Sequence, residues 1–307
     1  MKNIVVVGSI NMDIVNEVKK HPLPGETIHG LSTKYYPGGK GANQAVAAAR
    51  SGGTTMMVGA VGEDAFSSEL IASLADSGVN AEQVSRVPGN SGIAFITVDE
   101  SGENSIILSA GANRQVRLDD RVESLNVLHA VDIVLLQNEI PWETNREVMK
   151  RACSQGARVL YNPAPAMKIP ADVYPYIHTL ILNETEIEVI TGMPIGDDSL
   201  GAEAAIDSLL DAGIQSVILT LGSKGCLYKA AGSAAVSCPA FRVEAVDTTA
   251  AGDTFIGAFA SSLAEGRAIP EGLRFASAAA AIAVTGEGAQ ASIPTREQID
   301  RFLQSRA

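Results

Sequence analysis

The sequence predicts a doubly wound α/β protein, with a mainly parallel central sheet flanked by helices and a small β-sheet lid. From residue 54 to residue 220, short apolar segments typical of buried strands alternate with segments of helical periodicity. Polar side chains follow most of these strands, and open α/β sheets bind ligands at that edge. Four extended segments within residues 14–36 and 92–109 do not alternate with helices. They predict a separate small sheet, which is suited to cover a site.

The composition predicts one large domain, residues 1–307, with a sizeable core. Of the 307 residues, 46% are hydrophobic and 19% are charged. The formal net charge of -12 argues against non-specific binding to nucleic acid or to an anionic membrane, because both require clustered Lys and Arg. The N-terminal apolar run is too short for a signal peptide or a membrane span, so we expect a cytoplasmic protein.

The cysteine and histidine residues predict neither a disulfide framework nor a zinc site. Cys153, Cys226 and Cys238 form no C-x-x-C pair, and the histidines show no H-E-x-x-H spacing. A protein-ligated catalytic zinc is therefore not expected.

The first elements are an apolar strand and the extended segments of the lid. Residues 1–8 predict the strand, and residues 14–18 and 27–35 are extended segments separated by a turn that contains Pro and Gly. Residues 92–98 and 105–109 flank a hairpin signal at residues 99–102. Between the two pairs, a glycine-rich loop at residues 37–44 leads into a helix at residues 45–50.

The remaining elements follow the alternating pattern. Predicted strands occupy residues 54–58, 133–136, 158–161, 179–182 and 216–220. Predicted helices occupy residues 65–76, 118–128, 142–155, 184–191, 202–212, 254–263, 273–284 and 296–304. Short strands with helical crossovers between them predict parallel pairing.

Two polar residues after the first strand are candidates for binding a sugar. Asn11 and Asp13 are two residues apart, so in an extended segment their side chains point to one face and can clasp neighbouring hydroxyls. An ordinary polar turn is the alternative. Further polar residues follow other predicted strands: Asn138, Glu139, Asn162, Asn183 and Glu186.

The glycine-rich loop predicts a polar-ligand site at a helix N-terminus. Its glycines bring backbone N–H groups against a ligand, Lys40 offers a positive charge, and Asn43 has both a donor and an acceptor. The Walker and Rossmann glycine patterns are absent, which argues against a nicotinamide-dependent oxidoreductase. A glycine-rich turn without a ligand is the alternative.

The main catalytic candidate is Asp253, at the start of the helix predicted for residues 254–263. Ala250, Ala251 and Gly252 are small enough to let an anion approach the backbone, and a helix N-terminus attracts one. A carboxylate beside an anion site fits a base that takes a proton from a hydroxyl attacking a phosphoryl group. The alternative is that Asp253 only caps the helix.

Three segments agree in order and spacing with one protein family: residues 38–43 (Gly-Gly-Lys-Gly-Ala-Asn), 183–186 (Asn-Glu-Thr-Glu) and 247–253 (Asp-Thr-Thr-Ala-Ala-Gly-Asp). With them, the sequence resembles the ribokinase family of carbohydrate kinases over essentially its whole length. The resemblance implies transfer of the γ-phosphate of ATP to a sugar hydroxyl, and residues 8–13 are most similar to members that phosphorylate the 5-hydroxyl of D-ribose. A deoxyribose kinase, another pentose or nucleoside kinase, and a catalytically silent sugar sensor remain as alternatives.

The resemblance also implies roles for individual residues. Asp253 is expected to be the base, with the amides of Ala250, Ala251 and Gly252 as part of an anion hole. The matching sugar-binding positions are Asn11, Asp13, Gly39, Lys40, Gly41, Asn43 and Glu139. The positions that match sites for Mg²⁺ and the nucleotide are Asn183, Glu186, Thr220, Gly222, Ser223, Gly225, Gly252 and Ser277. Those that match a monovalent-cation site, usually for K⁺, are Asp247, Thr249, Ala283, Gly286, Gly288 and Ser292.

Two further expectations follow from the resemblance. Many members have Gly where this chain has Ala250, and we expect Ala250 to adopt a right-handed helical conformation. The lid segments carry more apolar side chains than one small sheet buries, and the resemblance implies a homodimer in which two lids clasp each other. These side chains are Ile28, Leu31, Tyr35, Ile93, Phe95, Ile96, Ile106 and Ile107.

Overall fold

The computed structural model describes residues 3–118, 128, 131–196 and 199–306. Its strands are β1 (Asn3–Val7), β2 (Asn11–Glu17), β3 (Ser32–Gly38), β4 (Thr54–Gly62), β5 (Asn80–Val87), β6 (Gly92–Val98), β7 (Asn104–Ser109), β8 (Ile133–Leu136), β9 (Arg158–Tyr161), β10 (Thr179–Asn183), β11 (Ser216–Thr220), β12 (Cys226–Ala230) and β13 (Val236–Cys238). Its helices are α1 (Lys40–Arg50), α2 (Ser67–Asp76), α3 (Trp142–Ser154), α4 (Glu184–Thr191), α5 (Ser199–Asp211), α6 (Ala251–Glu265), α7 (Ile269–Ala283) and α8 (Arg296–Ser305). The helix predicted for residues 118–128 lies almost entirely outside the described residues.

Within the described residues, the central sheet has nine strands in the order β13-β12-β11-β10-β9-β8-β1-β4-β5. The strands from β11 to β5 in this order pair in parallel. The strands β12 and β13 extend the sheet at one edge with antiparallel pairing. The predicted mainly parallel sheet of a doubly wound protein is confirmed.

The sequence pattern did not predict β5, β12 or β13. Side chains of β5 and β12 are largely half-buried or exposed, so neither strand has the continuous apolar run of a strand buried on both faces. β13 has only 3 residues. Strands at or near a sheet edge bury less surface than central ones, and their sequences carry a weaker signal.

The two faces of the central sheet carry separate buried clusters. In β1, Ile4 and Val6 belong to one cluster, and Val5 and Val7 belong to the other. Successive side chains of a strand point to opposite faces, which is why β1 is apolar throughout its centre. Helices α1, α2, α6, α7 and α8 cover the first face, and α3, α4 and α5 cover the second.

Helices α1 and α6 approach each other closely on the first face. A Cβ atom at Gly257 of α6 would lie 2.5 Å from the Cβ of Ala47 and 2.5 Å from the carbonyl oxygen of Gln44. Glycine is therefore required at this contact. The close approach brings Asn43 and Gln44 of α1 within hydrogen-bonding distance of Asp253 of α6.

The lid is a four-stranded sheet in the order β3-β2-β6-β7. β2 pairs antiparallel with β3 and parallel with β6, and β7 pairs antiparallel with β6. The lid segments differ in extent from the prediction, because β2 begins at Asn11 and β3 covers Ser32–Gly38. Large apolar side chains are exposed on it, namely Leu31, Tyr35, Phe95, Ile106, Ile107 and Leu108, whereas Ile28, Ile93 and Ile96 are half-buried.

Candidate active site

The carboxyl ends of the parallel strands bring the candidate residues to one edge of the central sheet. Asn183 ends β10 opposite Thr220 at the end of β11. Gly8, Gln137 and Asn162 directly follow β1, β8 and β9. We call the part of this edge around β1, β2 and β8 the sugar side, and the part around β10 and β11 the nucleotide side, after the ligands predicted for them.

Asp253 lies in the first turn of α6 and is buried, with 7% of its surface exposed. Its Oδ2 accepts a hydrogen bond from the Asn43 side-chain amide at 3.1 Å, and its Oδ1 accepts one from the Gln44 side-chain amide at 3.0 Å. The N-cap of α6 is Ala250, and no side chain caps the helix there. The capping interpretation of Asp253 is therefore wrong, and α1 holds its carboxylate.

The backbone before Asp253 turns through a left-handed conformation. Ala250 has φ 60° and ψ 9°, and among the described residues it is the only one other than glycine with a positive φ. The expectation of a right-handed Ala250 is wrong, since the residue adopts the left-handed conformation that glycine takes up more readily. This conformation costs an alanine about 1–2 kcal/mol.

The first-turn amides of α6 form the candidate anion hole. The first α-helical hydrogen bond runs from the Thr254 N–H to the Ala250 carbonyl at 2.8 Å. The Ala251 N–H donates to the Thr248 carbonyl at 3.3 Å, so it is partly engaged. The N–H groups of Gly252 and Asp253 precede the first helical bond and are best placed to meet an anion.

On the sugar side, the start of β2 lies against the glycine loop. A Cβ at Gly38 would lie only 2.1 Å from the Oδ2 of Asp13. The Asp13 carboxylate therefore occupies the space that a side chain at position 38 would need. Gly39 is the N-cap of α1 with φ 92°, and a Cβ there would lie 2.8 Å from the Asn11 nitrogen. Any larger residue at these two positions would separate the loop from β2, so the sequence Gly38-Gly39 keeps Asn11 and Asp13 at the site.

Asp13 and Asn11 are both buried and differ in what surrounds them. Burial raises the pKa of Asp13 to about 7, and the nearby carboxylates of Glu139 and Asp253 add to the rise. Asn11 accepts a hydrogen bond at its Oδ1 from the side chain of Asn113 at 2.7 Å. That bond directs the donor end of the Asn11 amide away from Asn113.

Glu139 connects the first strand to the glycine loop. Its Oε2 accepts hydrogen bonds from the Ser9 hydroxyl at 2.6 Å and from the Lys40 N–H at 3.2 Å. The Gly41 N–H donates in turn to the Ser9 hydroxyl at 3.2 Å. These contacts bring Glu139, which follows β8, to the same loop as Asp13.

The Lys40 side chain lies among four carboxylates. Asp253 raises the pKa of Lys40 most, and Glu139, Glu186 and Asp13 add to the rise against the opposing effect of burial. Lys40 therefore stays charged. Its charge interacts with carboxylates on both the sugar side and the nucleotide side.

Asn183 and Glu186 form a capping box at the start of α4. The Asn183 Oδ1 accepts from the Glu186 N–H at 2.8 Å, and the Glu186 Oε2 accepts from the Asn183 N–H at 2.9 Å. Burial raises the pKa of Glu186, and its charge interacts with those of Lys40 and Asp253. One motif thus stabilises the helix and holds a carboxylate close enough to Lys40 and Asp253 for their charges to interact.

The predicted nucleotide loop follows β11 as a short turn, Gly222–Lys224. Gly222 and Ser223 are exposed, and the Thr220 hydroxyl donates to the Leu182 carbonyl at 3.3 Å. Gly225 has φ 108°, and a Cβ there would lie 2.1 Å from the Cys238 carbonyl oxygen. The Ser277 hydroxyl of α7 lies 3.7 Å from the Cys238 sulfur, which brings it to the same neighbourhood.

The residues predicted for the monovalent cation come from two loops that meet. The Asp247 carboxylate accepts from the Thr249 N–H at 2.8 Å and from the Gly288 N–H at 3.1 Å. The Gly286 N–H donates to the Ala283 carbonyl at 3.1 Å. A Cβ at Gly286 would lie 3.2 Å from the Cβ of Ser292, which places that residue beside the loop.

A cavity of about 490 Å³ opens between β7 of the lid and the residues that follow β8. Asn11 and Glu139, both predicted for the sugar, line it. Asn113 and Arg114 also line it, although the sequence did not single them out. The other side chains predicted for the sugar, Asp13, Lys40 and Asn43, do not line this cavity.

The comparisons with known proteins agree with this geometry. A profile described as pfkB family carbohydrate kinase matches residues 1–296. The ribokinase of Schizosaccharomyces pombe is 41% identical over 315 aligned positions, which cover 98% of this chain and 97% of that protein. The chain belongs to the pfkB family of carbohydrate kinases.

Two further proteins show how far the likeness extends. The deoxyribokinase of Salmonella typhi is 37% identical, with 98% of each chain covered. The solved structure of Arabidopsis thaliana ribokinase, complexed with ribose and ATP, is 36% identical, and its comparison has a TM-score of 0.93 and covers 99% of each chain. Fold and family are thus the same as those of known sugar kinases.

The structure adds polar residues that the sequence reading missed. Gln44 and Gln137 have no exposed surface; Gln44 contacts Asp253, and Gln137 contacts Gln44. Their signal was present, because Gln44 directly precedes a run of small apolar residues in α1 and Gln137 directly follows the apolar strand β8. A polar side chain at a buried position needs partners, and those partners are visible only in the folded chain.

Proposed function

We propose that this protein transfers the γ-phosphate of ATP to the 5-hydroxyl of D-ribose and yields ribose 5-phosphate and ADP. The observation that carries the proposal is the buried carboxylate of Asp253, held by Asn43 and Gln44 at the N-terminus of α6. The ribokinases of Schizosaccharomyces pombe and Arabidopsis thaliana support ribose as the substrate.

In this proposal Asp253 takes the proton from the sugar hydroxyl as that oxygen attacks the γ-phosphorus. A new bond forms between the sugar oxygen and phosphorus, while the bond from phosphorus to the β,γ-bridging oxygen breaks and ADP leaves. The N–H groups of Gly252 and Asp253 stabilise the negative charge that develops on the transferred group. Lys40, which stays charged beside Asp253, adds a positive charge next to the proposed base.

The sugar is held by side chains that converge from three elements. Asp13 and Asn11 come from β2, Glu139 follows β8, and Asn43 comes from α1. Among the described residues, the Oδ1 of Asn43 is buried and has no hydrogen-bond partner, while its amide group donates to Asp253. A buried acceptor without a donor supports a ligand hydroxyl at that point, and a sugar bound through it would lie directly beside the proposed base.

An ADP-release assay with ribose, 2-deoxyribose, fructose and adenosine tests the proposal. We expect ribose to give the highest kcat/KM. The likeness to a Salmonella typhi deoxyribokinase makes a deoxyribose kinase the second candidate, and equal or better use of 2-deoxyribose would favour it. No ADP release with any of the sugars, combined with measurable ribose binding, would favour a sugar sensor.

Mg²⁺ fits the nucleotide side. Glu186 and Asn183 supply oxygen atoms, which are the ligands that this ion prefers, and Glu186 lies close enough to Asp253 and Lys40 for their charges to interact. Bound there, the ion would neutralise charge on the phosphates of ATP. The Mg²⁺ dependence of the ADP-release assay, compared between wild type and Glu186→Gln, tests this part of the proposal.

A monovalent cation, K⁺, fits the two loops beside Ala250. The Asp247 carboxylate and the carbonyl groups of Thr249, Ala283, Gly286 and Gly288 are oxygen ligands, and Ser292 lies next to them. The cation would supply a positive charge close to the anion hole. We expect K⁺ to activate more than Na⁺ at equal ionic strength, and equal rates in K⁺, Na⁺ and a bulky organic cation would refute the site.

We also propose that two copies associate through their lids in the cytoplasm. Large apolar side chains of the lid are exposed to solvent. Ile107 has 68% of its surface exposed and Leu31 has 55%, and contact with a second lid would remove this apolar surface from water. No helix in the described part of the chain combines the length and hydropathy needed to span a bilayer. Light scattering at micromolar concentration tests the dimer, and a fully active monomer would contradict it.

A further inference from the structure

A chain of buried side-chain amides lies against the carboxylate of Asp253. The Gln44 amide nitrogen donates to the Asp253 Oδ1 at 3.0 Å and to the Asn162 Oδ1 at 3.3 Å. The Gln44 Oε1 accepts from the side-chain amide of Gln137 at 2.6 Å. Gln44 and Gln137 have no exposed surface, and both polar ends of the Gln44 amide are engaged by protein partners.

The partners at the Asp253 and Asn162 end of this chain determine the direction of its hydrogen bonds, whereas among the described residues the Gln137 Oε1 at the other end has no hydrogen-bond partner. The Asn162 amide nitrogen donates to the Ile181 carbonyl at 3.0 Å, so its oxygen must face Gln44. The carboxylate of Asp253 accepts only. Both neighbours therefore require the NH₂ group of Gln44, and the oxygen of Gln44 is left to face the NH₂ group of Gln137.

A change in the Asp253 rotamer would break this arrangement. Both hydrogens of the Gln44 amide are in use, and moving the carboxylate would leave one of them without an acceptor in the interior. An unpaired buried donor costs about 1–3 kcal/mol. The amide chain thus favours one orientation of the carboxylate.

The backbone makes room for these two glutamines. A Cβ at Gly8 would lie 2.2 Å from the Gln137 Oε1, so only glycine leaves space for that side chain. The close contact at Gly257 brings the backbone of Gln44 against α6. Two glycines on different elements thus permit one chain of hydrogen bonds.

We propose that Gln44 is the positioning residue for Asp253 and that Gln137 orients Gln44. Gln44 holds Oδ1 so that Oδ2, which Asn43 contacts, stays aimed at the sugar hydroxyl, and it keeps the carboxylate ready to accept a proton. The inference rests on the proposed role of Asp253 as base. Its effects reach the reaction only through Asp253.

The test is Gln44→Met, which keeps the volume of the side chain and removes its donor. We expect kcat to fall about 10- to 100-fold, while the KM values for ribose and ATP stay within about threefold of wild type. We also expect the acidic limb of the kcat profile to move to higher pH, because the carboxylate has lost a hydrogen-bond donor. A merely structural role would move neither the profile nor kcat.

Two further variants keep the result interpretable. Thr179→Val is the matched control, because it removes a buried hydroxyl that lies 3.0 Å from the Ser216 hydroxyl at the opposite edge of the sheet. It should lower the melting temperature and leave kcat and its pH profile unchanged. Gln137→Met leaves Gln44 in place without its partner, and we expect a smaller loss of kcat with a shift of the same sign.

The outcomes separate this inference from the proposed function. If Gln44→Met keeps the wild-type kcat and pH profile while Asp253→Asn has a low kcat, the inference about Gln44 is overturned and the proposed function is not affected. Wild-type kcat in both variants overturns the role of Asp253 as base. If Gln44→Met does not fold, Gln137→Met is the variant that tests the inference. A wild-type pH profile of kcat in Gln137→Met overturns it.

Discussion

The sugar side and the nucleotide side of this site are built by different means. On the sugar side, Asn11, Asp13, Asn43 and Asp253 are buried, and each makes contacts with side chains or backbone from another element. On the nucleotide side, Gly222, Ser223 and Gly252 are exposed, and the groups that they offer a ligand are largely backbone N–H groups in turns and at a helix start.

This difference indicates where selectivity should reside. A buried polar side chain that loses its hydroxyl partner is left unpaired, which costs about 1–3 kcal/mol for each lost partner. An exposed loop pairs with water when its ligand is absent. Changes on the sugar side should therefore affect substrate choice and turnover more than changes on the nucleotide side.

The largest effect is expected for Asp253→Asn, which removes the proposed base and keeps the shape of the side chain. We predict that kcat falls at least about 100-fold, while ribose and ATP still bind with nearly wild-type affinity. Turnover by ADP release and binding by calorimetry measure the two quantities separately. A kcat within a few-fold of wild type would show that another group takes the proton.

The next effect concerns Asp13→Ala, which removes an acceptor on the sugar side. We predict that kcat/KM for ribose falls about 10- to 100-fold and that ATP affinity is little changed. Wild type should use 2-deoxyribose about 10- to 100-fold less well than ribose. If Asp13 only closes a turn, the variant loses thermal stability and its ratio of the two sugars stays at the wild-type value.

A smaller effect is expected from pH. The pKa of Asp13 is raised to about 7, so in the free protein the group is largely protonated at pH 6 and largely charged at pH 8. A charged carboxylate accepts a stronger hydrogen bond from a sugar hydroxyl, and below pH 7 the proton must first leave. We predict that the dissociation constant for ribose falls about three- to tenfold from pH 6 to pH 8.

Asp13→Asn is the matched control for the pH prediction. Its side chain does not titrate, although Glu139, Asp253 and Lys40 still surround it. The dissociation constant for ribose should then vary less than about twofold over the same range. A variant that keeps the full wild-type pH dependence would assign the effect to one of those neighbours.

The smallest effect is expected for Ala250→Gly, at the boundary between the two sides. Glycine adopts the left-handed conformation of residue 250 without the steric strain that alanine has there, which stabilises the folded state. Glycine also makes the unfolded chain more flexible, and this offsets part of the increase in stability. We predict an increase of about 0.5 kcal/mol in the free energy of unfolding and a kcat within about twofold of wild type. Denaturant titration measures the first quantity, and a loss of stability would contradict it.

The alternating pattern of strands and helices was enough to predict the central sheet, four extended segments outside that pattern predicted the lid, and three local motifs carried the resemblance to the family. Strands buried on both faces and amphipathic helices leave periodic patterns that need no knowledge of the rest of the chain. The glycine loop before α1 and the Asn183–Glu186 segment were also readable, because each is a local motif. Edge strands such as β5 lack the apolar run and escaped prediction.

Only the folded chain decided how Asp253 is held and how Ala250 is turned. The partners of Asp253 on α1 lie 210 and 209 residues away in sequence, and its first-turn position allowed a capping role as readily as a catalytic one. Gln137 and Asn162 come from two further elements, so no local pattern could join them to Gln44. The left-handed Ala250 is likewise set by packing, because alanine by itself prefers a right-handed turn and the contacts of Asp253 with α1 override that preference.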